Sequence, residues 1–228
     1  WVHFLPPHSP YRVPKAFFDE FFPNPKSEPI FNWSSPKEAE DYFAAREPME
    51  EYAFGPNMRR LSPTMLAQMQ AKYDANIKVG DREFGHLIDW LDTAGLSSKT
   101  IVVVASDHGE QLGEHHRFDH NALWYAVTRT PLLLRVPGVD SERKDYPVMN
   151  VDIMPTVLSL VGIGADRRWR GRNLLDGNRA DYFQLAEYEH EFTVKKGRYK
   201  LMETRATGEK YLFDIIADPN EYHDRAAE

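Results

Sequence analysis

The chain has 228 residues, 42% of them hydrophobic, and a formal net charge of −7. This length and composition are typical of a globular protein with one large domain, or one domain and a small appendage. The negative charge and the lack of a long basic run exclude nucleic acid as an expected partner. No apolar stretch approaches the roughly 20 residues that span a bilayer, and the absence of cysteine excludes disulfides and thiolate metal sites within this sequence.

The N-terminal segment WVHFL is apolar and predicts a short strand from Trp1 to Leu5, with His3 in the core. Because the sequence opens inside this predicted strand and lacks an initiator methionine, we expect a fragment or a processed chain. Four prolines between residues 6 and 14 then predict an extended, rigid loop. This loop presents His8 at the end of the strand.

A long surface excursion is predicted for residues 21–61, which are rich in proline, asparagine and charge, with one short helix near residues 36–45. Ser62 and Pro63 then form an N-cap followed by proline at the first helical position. Apolar residues recur at helical spacing up to Gly95, which indicates one long or two abutting helices that could divide at Gly80.

Two continuous apolar segments, IVVVA at 101–105 and PLLLRV at 131–136, predict strands buried on both faces. A helix followed by a buried strand favours a parallel α/β sheet, in which ligands bind beyond the carboxyl ends of the strands. Asp107 and His108 fall at that end of the first strand.

The C-terminal third changes in pattern. DIMPTVLSLV at 152–161 predicts a helix, whereas short alternating segments after Gly171 predict a small antiparallel sheet. The predicted fold class is therefore α/β: a mostly parallel sheet flanked by helices over residues 1–170, and a small antiparallel C-terminal subdomain over residues 171–228.

The stretch SDHGEQLGEHHRFDH, residues 106–120, concentrates acids and histidines beside the first buried strand. Asp107 offers a carboxylate oxygen and His108 a ring nitrogen, and Gly109 lets the backbone turn so that both can face one point. Two ligands make half of a metal site, so other ligands must come from elsewhere. His8 and His120 are candidates to donate a proton or to hold an anionic group.

This arrangement resembles the sulfatase family of the alkaline-phosphatase superfamily, and the resemblance extends along nearly the whole chain. PPHSPY resembles the His-x-Pro loop of the family, and the segment from YDANIKVG to SDHGE resembles its long helix and following strand. TPLLLRVPG, VDIMPTVLSLVGI, GRYKL and LFDIIADPNE then follow in the family order.

The resemblance implies a role for each matching residue. Asp107 and His108 match two metal ligands, usually to Ca²⁺, with Mg²⁺ or Mn²⁺ as alternatives, and many members carry asparagine at the second place. His8 matches the histidine that protonates the leaving oxygen. His120 falls where many members carry a sulfate-binding lysine, whose work a protonated histidine could do. Arg117 and His115 are candidate substrate contacts, although solvated loop residues are the alternative.

The implied function is metal-dependent hydrolysis of a sulfate monoester, with a sulfated carbohydrate as the favoured substrate. The nucleophile of the family is a formylglycine made in a Cys/Ser-x-Pro-x-Arg motif, which this sequence lacks. We therefore expect the nucleophile upstream, in an N-terminal portion of the same protein, and no turnover by the 228 residues alone. The resemblance favours a periplasmic, lysosomal or secreted protein.

Two alternatives remain open. The chain could belong to a phosphodiesterase, phosphonate-ester hydrolase or phosphoethanolamine transferase of the same superfamily, because Ser-Asp-His-Gly-Glu occurs there too. It could also be a non-catalytic binding fragment. The upstream sequence would separate the first group, since a formylglycine motif favours sulfate or phosphonate esters and a threonine nucleophile with zinc ligands favours transfer.

Overall fold

The structure is a computed structural model that describes residues 1–8, 11–23, 63–177 and 182–227. The chain forms two compact units. The first contains Trp1–Ser98 with Gln111–Asp119, and the second contains Lys99–Glu110 with His120–Glu228. Most of the predicted excursion at 21–61, including the short helix near 36–45, lies outside the described residues. The predicted boundary at residue 171 stays a prediction.

The first unit is built around a long helix, α2 (Pro63–Thr93), which contacts the shorter α1 (Lys15–Phe21). The predicted N-cap at Ser62 lies outside the described residues, and from Pro63 onward the helix runs through Gly80 without a break. It ends as the sequence predicts. Gly95 adopts φ +68°, and the backbone N–H of Leu96 donates to the carbonyl of Leu91 at 2.9 Å. This closing pattern satisfies carbonyls that the helix end would otherwise leave unpaired.

The predicted N-terminal strand is wrong. Residues 1–5 have no regular secondary structure, and His3 is exposed rather than in the core. Phe4 packs edge-on against Phe84 of α2, with ring centroids 6.3 Å apart. No strand pairs with this segment within the described residues, and an extended apolar segment becomes a strand only when another strand satisfies its backbone groups.

Lys72, on the buried face of α2, gives the stability of the first unit a predictable pH dependence. Burial lowers its pKa from 10.5 to about 8, because a charged ammonium loses its hydration there. The unfolded chain therefore holds this proton more tightly, and the unfolding free energy should rise by about 2–3 kcal/mol between pH 8 and 10.5. In the Lys72→Met variant this rise should be absent when the unfolding free energy is measured by urea denaturation at each pH.

The control for this prediction is Lys78→Met, on the same helix at a half-exposed position. It should keep the pH dependence of the parent chain. Parallel stability curves for Lys72→Met and the parent chain between pH 8 and 10.5 would refute the prediction.

Two apolar strands begin the second unit, β1 (Val102–Ala105) and β4 (Leu132–Arg135). Both predicted strands are confirmed, but they pair with each other antiparallel, with Val103 opposite Leu134. The parallel sheet is not observed within the described residues, where every strand pair is antiparallel. Residues 106–131, which connect these strands, are long enough for a parallel crossover, but the one α-helix among them, α3 (Tyr125–Thr128), has a single turn and does not form the usual crossover helix.

These strands are also less buried than predicted. Leu133 is 59% exposed, and exposed and half-buried residues alternate along β4. This alternation is typical of a sheet covered on one face in this chain. A separate short hairpin, β2 (Gln111–Leu112) with β3 (Phe118–Asp119), belongs to the first unit.

The helix predicted for 152–161 is present as α4 (Ile153–Leu160), preceded by a single 3-10 turn at Asn150–Asp152. Pro155 lies in its first turn, where the missing N–H costs no helical hydrogen bond. Asp152 is fully buried. Its carboxylate accepts hydrogen bonds from the backbone N–H of Met149 at 2.9 Å, the N–H of Arg172 at 2.7 Å and the Tyr182 hydroxyl at 2.7 Å.

The predicted C-terminal antiparallel sheet is confirmed. It has four strands in sequence order: β5 (Gln184–Tyr188), β6 (Glu191–Lys196), β7 (Tyr199–Thr204) and β8 (Glu209–Asp214). Its core also includes Leu123, which packs with Met202, Phe213 and Ile215. Across the described residues, no helix is both long and apolar enough to cross a membrane.

Candidate active site

The turn after β1 packs tightly against α3 through Gly109. The backbone N–H of Gly109 donates to the carbonyl of Val127 at 2.6 Å. A Cβ atom at position 109 would overlap the carbonyl oxygen of Ala126 and lie 3.2 Å from that of Arg129. Only glycine lets the two backbones approach this closely.

Gly109→Ala should therefore lower the unfolding free energy by about 1–3 kcal/mol, because the backbone around Ala126 must shift to admit the methyl group. Gly85→Ala in α2 is the matched control. A Cβ atom there meets nothing within 4 Å, and alanine should be neutral or stabilise the helix by up to about 1 kcal/mol. Urea unfolding of both variants measures the difference, and equal effects would contradict this account of the turn.

Asp107 and His108 are adjacent to Gly109, and their side chains carry oxygen and nitrogen atoms that could bind a metal ion. The Nδ1 atom of His108 lies 2.8 Å from the carbonyl oxygen of Gly109. A carbonyl oxygen only accepts, so Nδ1 is the donor in this contact, and in the neutral ring the lone pair then lies on Nε2. Nε2 lies 3.8 Å from Oδ2 of Asp107. A backbone carbonyl that orients the imidazole in this way is a common feature of histidine metal ligands.

The carboxylate of Asp107 is accessible, with 86% of its side chain exposed. Partial burial acts to raise its pKa, but the hydrogen bond from the His108 backbone N–H and the neighbouring His108 and His120 rings outweigh it, so the pKa is lowered. The turn is held by Asn150, whose side-chain amide donates to the carbonyls of Ser106 at 3.0 Å and Asp107 at 3.2 Å. The anionic oxygens therefore face outward on a fixed backbone.

His120 stacks on His108, with ring centroids 4.0 Å apart. Its Nδ1 atom lies 3.3 Å from Oε1 of Glu110, whose side chain is almost fully buried. When the carboxylate accepts from Nδ1, it fixes the orientation of the ring. The structure thus brings Asp107, His108 and His120 together within the second unit.

The chemistry of this cluster fits part of a divalent-cation site. A carboxylate oxygen and a ring nitrogen are suitable ligands for Ca²⁺ or a transition metal, but two ligands do not complete a coordination shell. Within the part of the chain that the structure describes, no group of three or more histidine, aspartate or glutamate residues is arranged to hold a metal ion.

The other predicted site residues lie in the first unit. His8 is exposed at the end of a proline turn, where its backbone N–H donates to the carbonyl of Leu5. His115 is half-buried in a 3-10 turn at φ 53°, and Arg117 is exposed. Their assignment to a site stays a prediction.

Sequence reasoning missed Asn150. It lies 43 residues from Asp107, so no local spacing relates the two. The sequence offered one hint: Asn150 stands just before a predicted helix, and asparagine side chains in such positions often form hydrogen bonds to backbone groups. The pairing of Glu110 with His120 was equally invisible, although both residues belong to the acidic and histidine-rich stretch.

Comparison with protein families gives two matches that together cover the chain. The family profile described as Sulfatase matches residues 1–163. A second profile, described as N-sulphoglucosamine sulphohydrolase, C-terminal, matches residues 113–228.

Individual proteins give the same result. The chain is 27% identical to a choline-sulfatase of Rhizobium meliloti over 96% of the chain and 44% of that protein. It is 29% identical to an N-acetylglucosamine-6-O-sulfatase of Bacteroides thetaiotaomicron over 68% of the chain and 31% of that protein. The chain spans less than half the length of these curated relatives.

Among solved structures, the phosphonate monoester hydrolase of Agrobacterium radiobacter superposes with a TM-score of 0.72. The match covers 99% of the chain and 52% of that structure at 22% identity. At this identity the likeness concerns the fold, which is alkaline-phosphatase-like.

Proposed function

Because the chain belongs to the sulfatase family, we propose that it supplies the second part of the active site of a metal-dependent sulfate monoester hydrolase. The observation that carries this proposal is the Asp107–His108 pair, in which the Gly109 carbonyl orients the His108 ring and Nε2 lies 3.8 Å from an exposed carboxylate oxygen. In this proposal, residues 1–170 contribute to the catalytic domain and residues 171–228 form its C-terminal subdomain.

Asp107 and His108 would hold one divalent cation, with Ca²⁺ as the first choice and Mg²⁺ or Mn²⁺ as alternatives. The Asp107 carboxylate supplies the hard, anionic oxygen that these ions prefer. A bound cation would act as a Lewis acid on the sulfate oxygens.

His120 would contact the sulfate group, because it stacks directly on His108. Its contact with the buried Glu110 carboxylate fixes the ring, so that one orientation is presented to the substrate. His8 would protonate the leaving oxygen. Arg117 and His115 would contact the rest of the substrate.

The nucleophile, a formylglycine, would come from an N-terminal portion of the same protein. The chain aligns with less than half of each relative, which supports a nucleophile outside it. The 228 residues alone would then show no turnover. The favoured substrate is a sulfated carbohydrate, supported by the name of the N-acetylglucosamine-6-O-sulfatase relative. We place the complete enzyme in the periplasm, a lysosome or the medium.

A second candidate is phosphonate-ester hydrolysis, favoured by the fold likeness to the Agrobacterium radiobacter hydrolase. Phosphodiester hydrolysis and phosphoethanolamine transfer follow from the same superfamily. A non-catalytic binding fragment is the remaining alternative.

The test uses the complete protein that contains this chain. Peptide mapping upstream of Trp1 should find a formylglycine. Turnover of 4-nitrophenyl sulfate, glucosamine 6-sulfate, choline sulfate and phenyl 4-nitrophenyl phosphonate should then favour the sugar sulfate. Preference for the phosphonate ester would establish the second candidate, and a complete protein without a nucleophile would leave the binding fragment.

A further inference from the structure

A buried ion pair joins the C-terminal sheet to the C-terminal tail, and neither of its members is among the residues proposed for catalysis. Lys200 of β7 and Glu221 of the C-terminal tail are 2% and 1% exposed, and Nζ lies 2.7 Å from Oε1. Burial lowers the pKa of Lys200 even though Glu221 acts to raise it. Removing two charges from water is costly, and buried pairs of this kind are often no more stable than apolar replacements. The pair therefore calls for a role other than stability.

Both members of the pair bind the backbone of residues 121–125. Lys200 Nζ donates to the carbonyl of Leu123 at 2.5 Å, and Glu221 Oε2 accepts from the N–H of Tyr125 at 2.5 Å. Glu191 of β6 accepts from the N–H of Leu123 at 2.8 Å. A carbonyl and an N–H that point into the sheet need a donor and an acceptor respectively, which apolar side chains cannot provide.

Residues 121–125 connect the two sides of the candidate site. His120 directly precedes them, and the α3 helix that supports Gly109 begins at Tyr125. The Tyr188 hydroxyl adds a further hydrogen bond to Asn121 at 3.0 Å. The C-terminal sheet and tail therefore form hydrogen bonds with the segment between His120 and α3, and the Asp107–His108 turn packs against α3.

We propose that Lys200 and Glu221 are positioning residues that hold His120 against His108 and hold α3 beneath Gly109. This inference rests on the proposed function, because it treats Asp107, His108 and His120 as part of an active site. It assigns the C-terminal subdomain a specific task, which is to fix the geometry of the metal and sulfate contacts through two charged side chains.

The experiment compares three variants of the complete protein. Lys200→Met removes the donor to Leu123 and leaves Glu221 buried without its cation. The double variant Lys200→Met/Glu221→Leu replaces the whole pair by apolar groups. Arg198→Met is the control, because Arg198 pairs with Asp214 in the same sheet, with Nε 2.8 Å from Oδ1. Each protein is measured by thermal unfolding, hydrogen–deuterium exchange, calcium titration and steady-state kinetics on 4-nitrophenyl sulfate.

In Lys200→Met, amide exchange in peptides covering residues 106–129 should accelerate about tenfold, with the α2 peptides unchanged. The calcium Kd should weaken about tenfold and kcat should fall about 10- to 100-fold, with a smaller change in KM. The double variant should regain only part of the thermal stability lost in Lys200→Met, because no unpaired charge stays buried while the Leu123 carbonyl and the Tyr125 N–H still lack partners. It should not regain kcat or calcium affinity. Arg198→Met should stay within twofold of the parent protein in exchange, calcium Kd and kcat.

Two results would overturn the proposal. One is exchange within twofold of the parent protein over residues 106–129 in a folded Lys200→Met variant. The other is a double variant whose kcat and calcium affinity recover with its stability, since that would make the pair purely structural. If the parent protein neither binds calcium nor cleaves sulfate esters, the proposed function fails, and exchange alone then decides whether the pair holds this segment.

Discussion

Asp107→Asn should reduce sulfate-ester hydrolysis by the complete enzyme about 10²- to 10³-fold, the range found when one electrostatic contact to the reacting group is lost. The substitution keeps the shape of the side chain but removes the anionic charge that a divalent cation requires. The side chain is 86% exposed, so the unfolding free energy should change by no more than about 0.5 kcal/mol. Steady-state kinetics and calcium titration measure the first effect, and urea unfolding measures the second.

The companion variants are chosen to separate ligation from general damage. Asp140→Asn changes another exposed acid in a loop of the same unit and should leave activity and calcium affinity unaltered. His108→Asn offers an amide oxygen that suits Ca²⁺, so it should retain more activity than His108→Ala. An Asp107→Asn enzyme within threefold of the parent activity would show that Asp107 is not a ligand.

Local features of the fold were predictable because neighbouring residues determine them. Gly95 predicted the C-terminal end of α2, since glycine suits the left-handed residue that closes a helix. The β-branched run IVVVA predicted β1, and the alternating segments after Gly171 predicted the C-terminal sheet. Each of these inferences required only a few consecutive side chains.

Strand pairing was not predictable in the same way. The identity of the neighbour of β1 depends on how residues 106–131 return, and their single-turn helix carries too weak a pattern to exclude a parallel crossover. The segment Trp1–Leu5 has the composition of a strand but no partner strand within the described residues. Composition reports a preference for extended backbone, whereas a strand also needs hydrogen bonds from elsewhere.

The contacts between the candidate site residues were the least predictable part. Asp107, His108 and His120 were identified from residue type and order, but the carbonyl that orients His108 and the amide of Asn150 depend on tertiary contacts. The Lys200 position is a clearer case. Hydrophobicity along β7 would bury Tyr199 and Leu201, yet the structure buries Lys200 and Met202 on the opposite face, because the ammonium finds Glu221 and a backbone carbonyl there.

The largest expected loss of stability comes from Asp152→Asn. The buried carboxylate accepts at both oxygens, from Met149 on one side and from Arg172 and Tyr182 on the other. An asparagine retains one oxygen and turns an NH₂ group toward an N–H donor, so a hydrogen bond to a charged acceptor is lost and two donors face each other. We expect the unfolding free energy to fall by about 2–4 kcal/mol, measured by urea unfolding.

Two controls assign this loss to Asp152. Tyr182→Phe removes one donor and leaves the carboxylate its backbone partners, so it should cost about 1–2 kcal/mol. Asp145→Asn changes an exposed acid paired with Arg143 and should cost less than about 0.5 kcal/mol. If Asp152→Asn costs no more than Asp145→Asn, the carboxylate does not organise this turn. If the expected loss is found, the turn at residues 149–152 depends on the buried Asp152 carboxylate. Asn150 of that turn donates to the Asp107 carbonyl, so Asp152 would also stabilise the position of the candidate metal ligands.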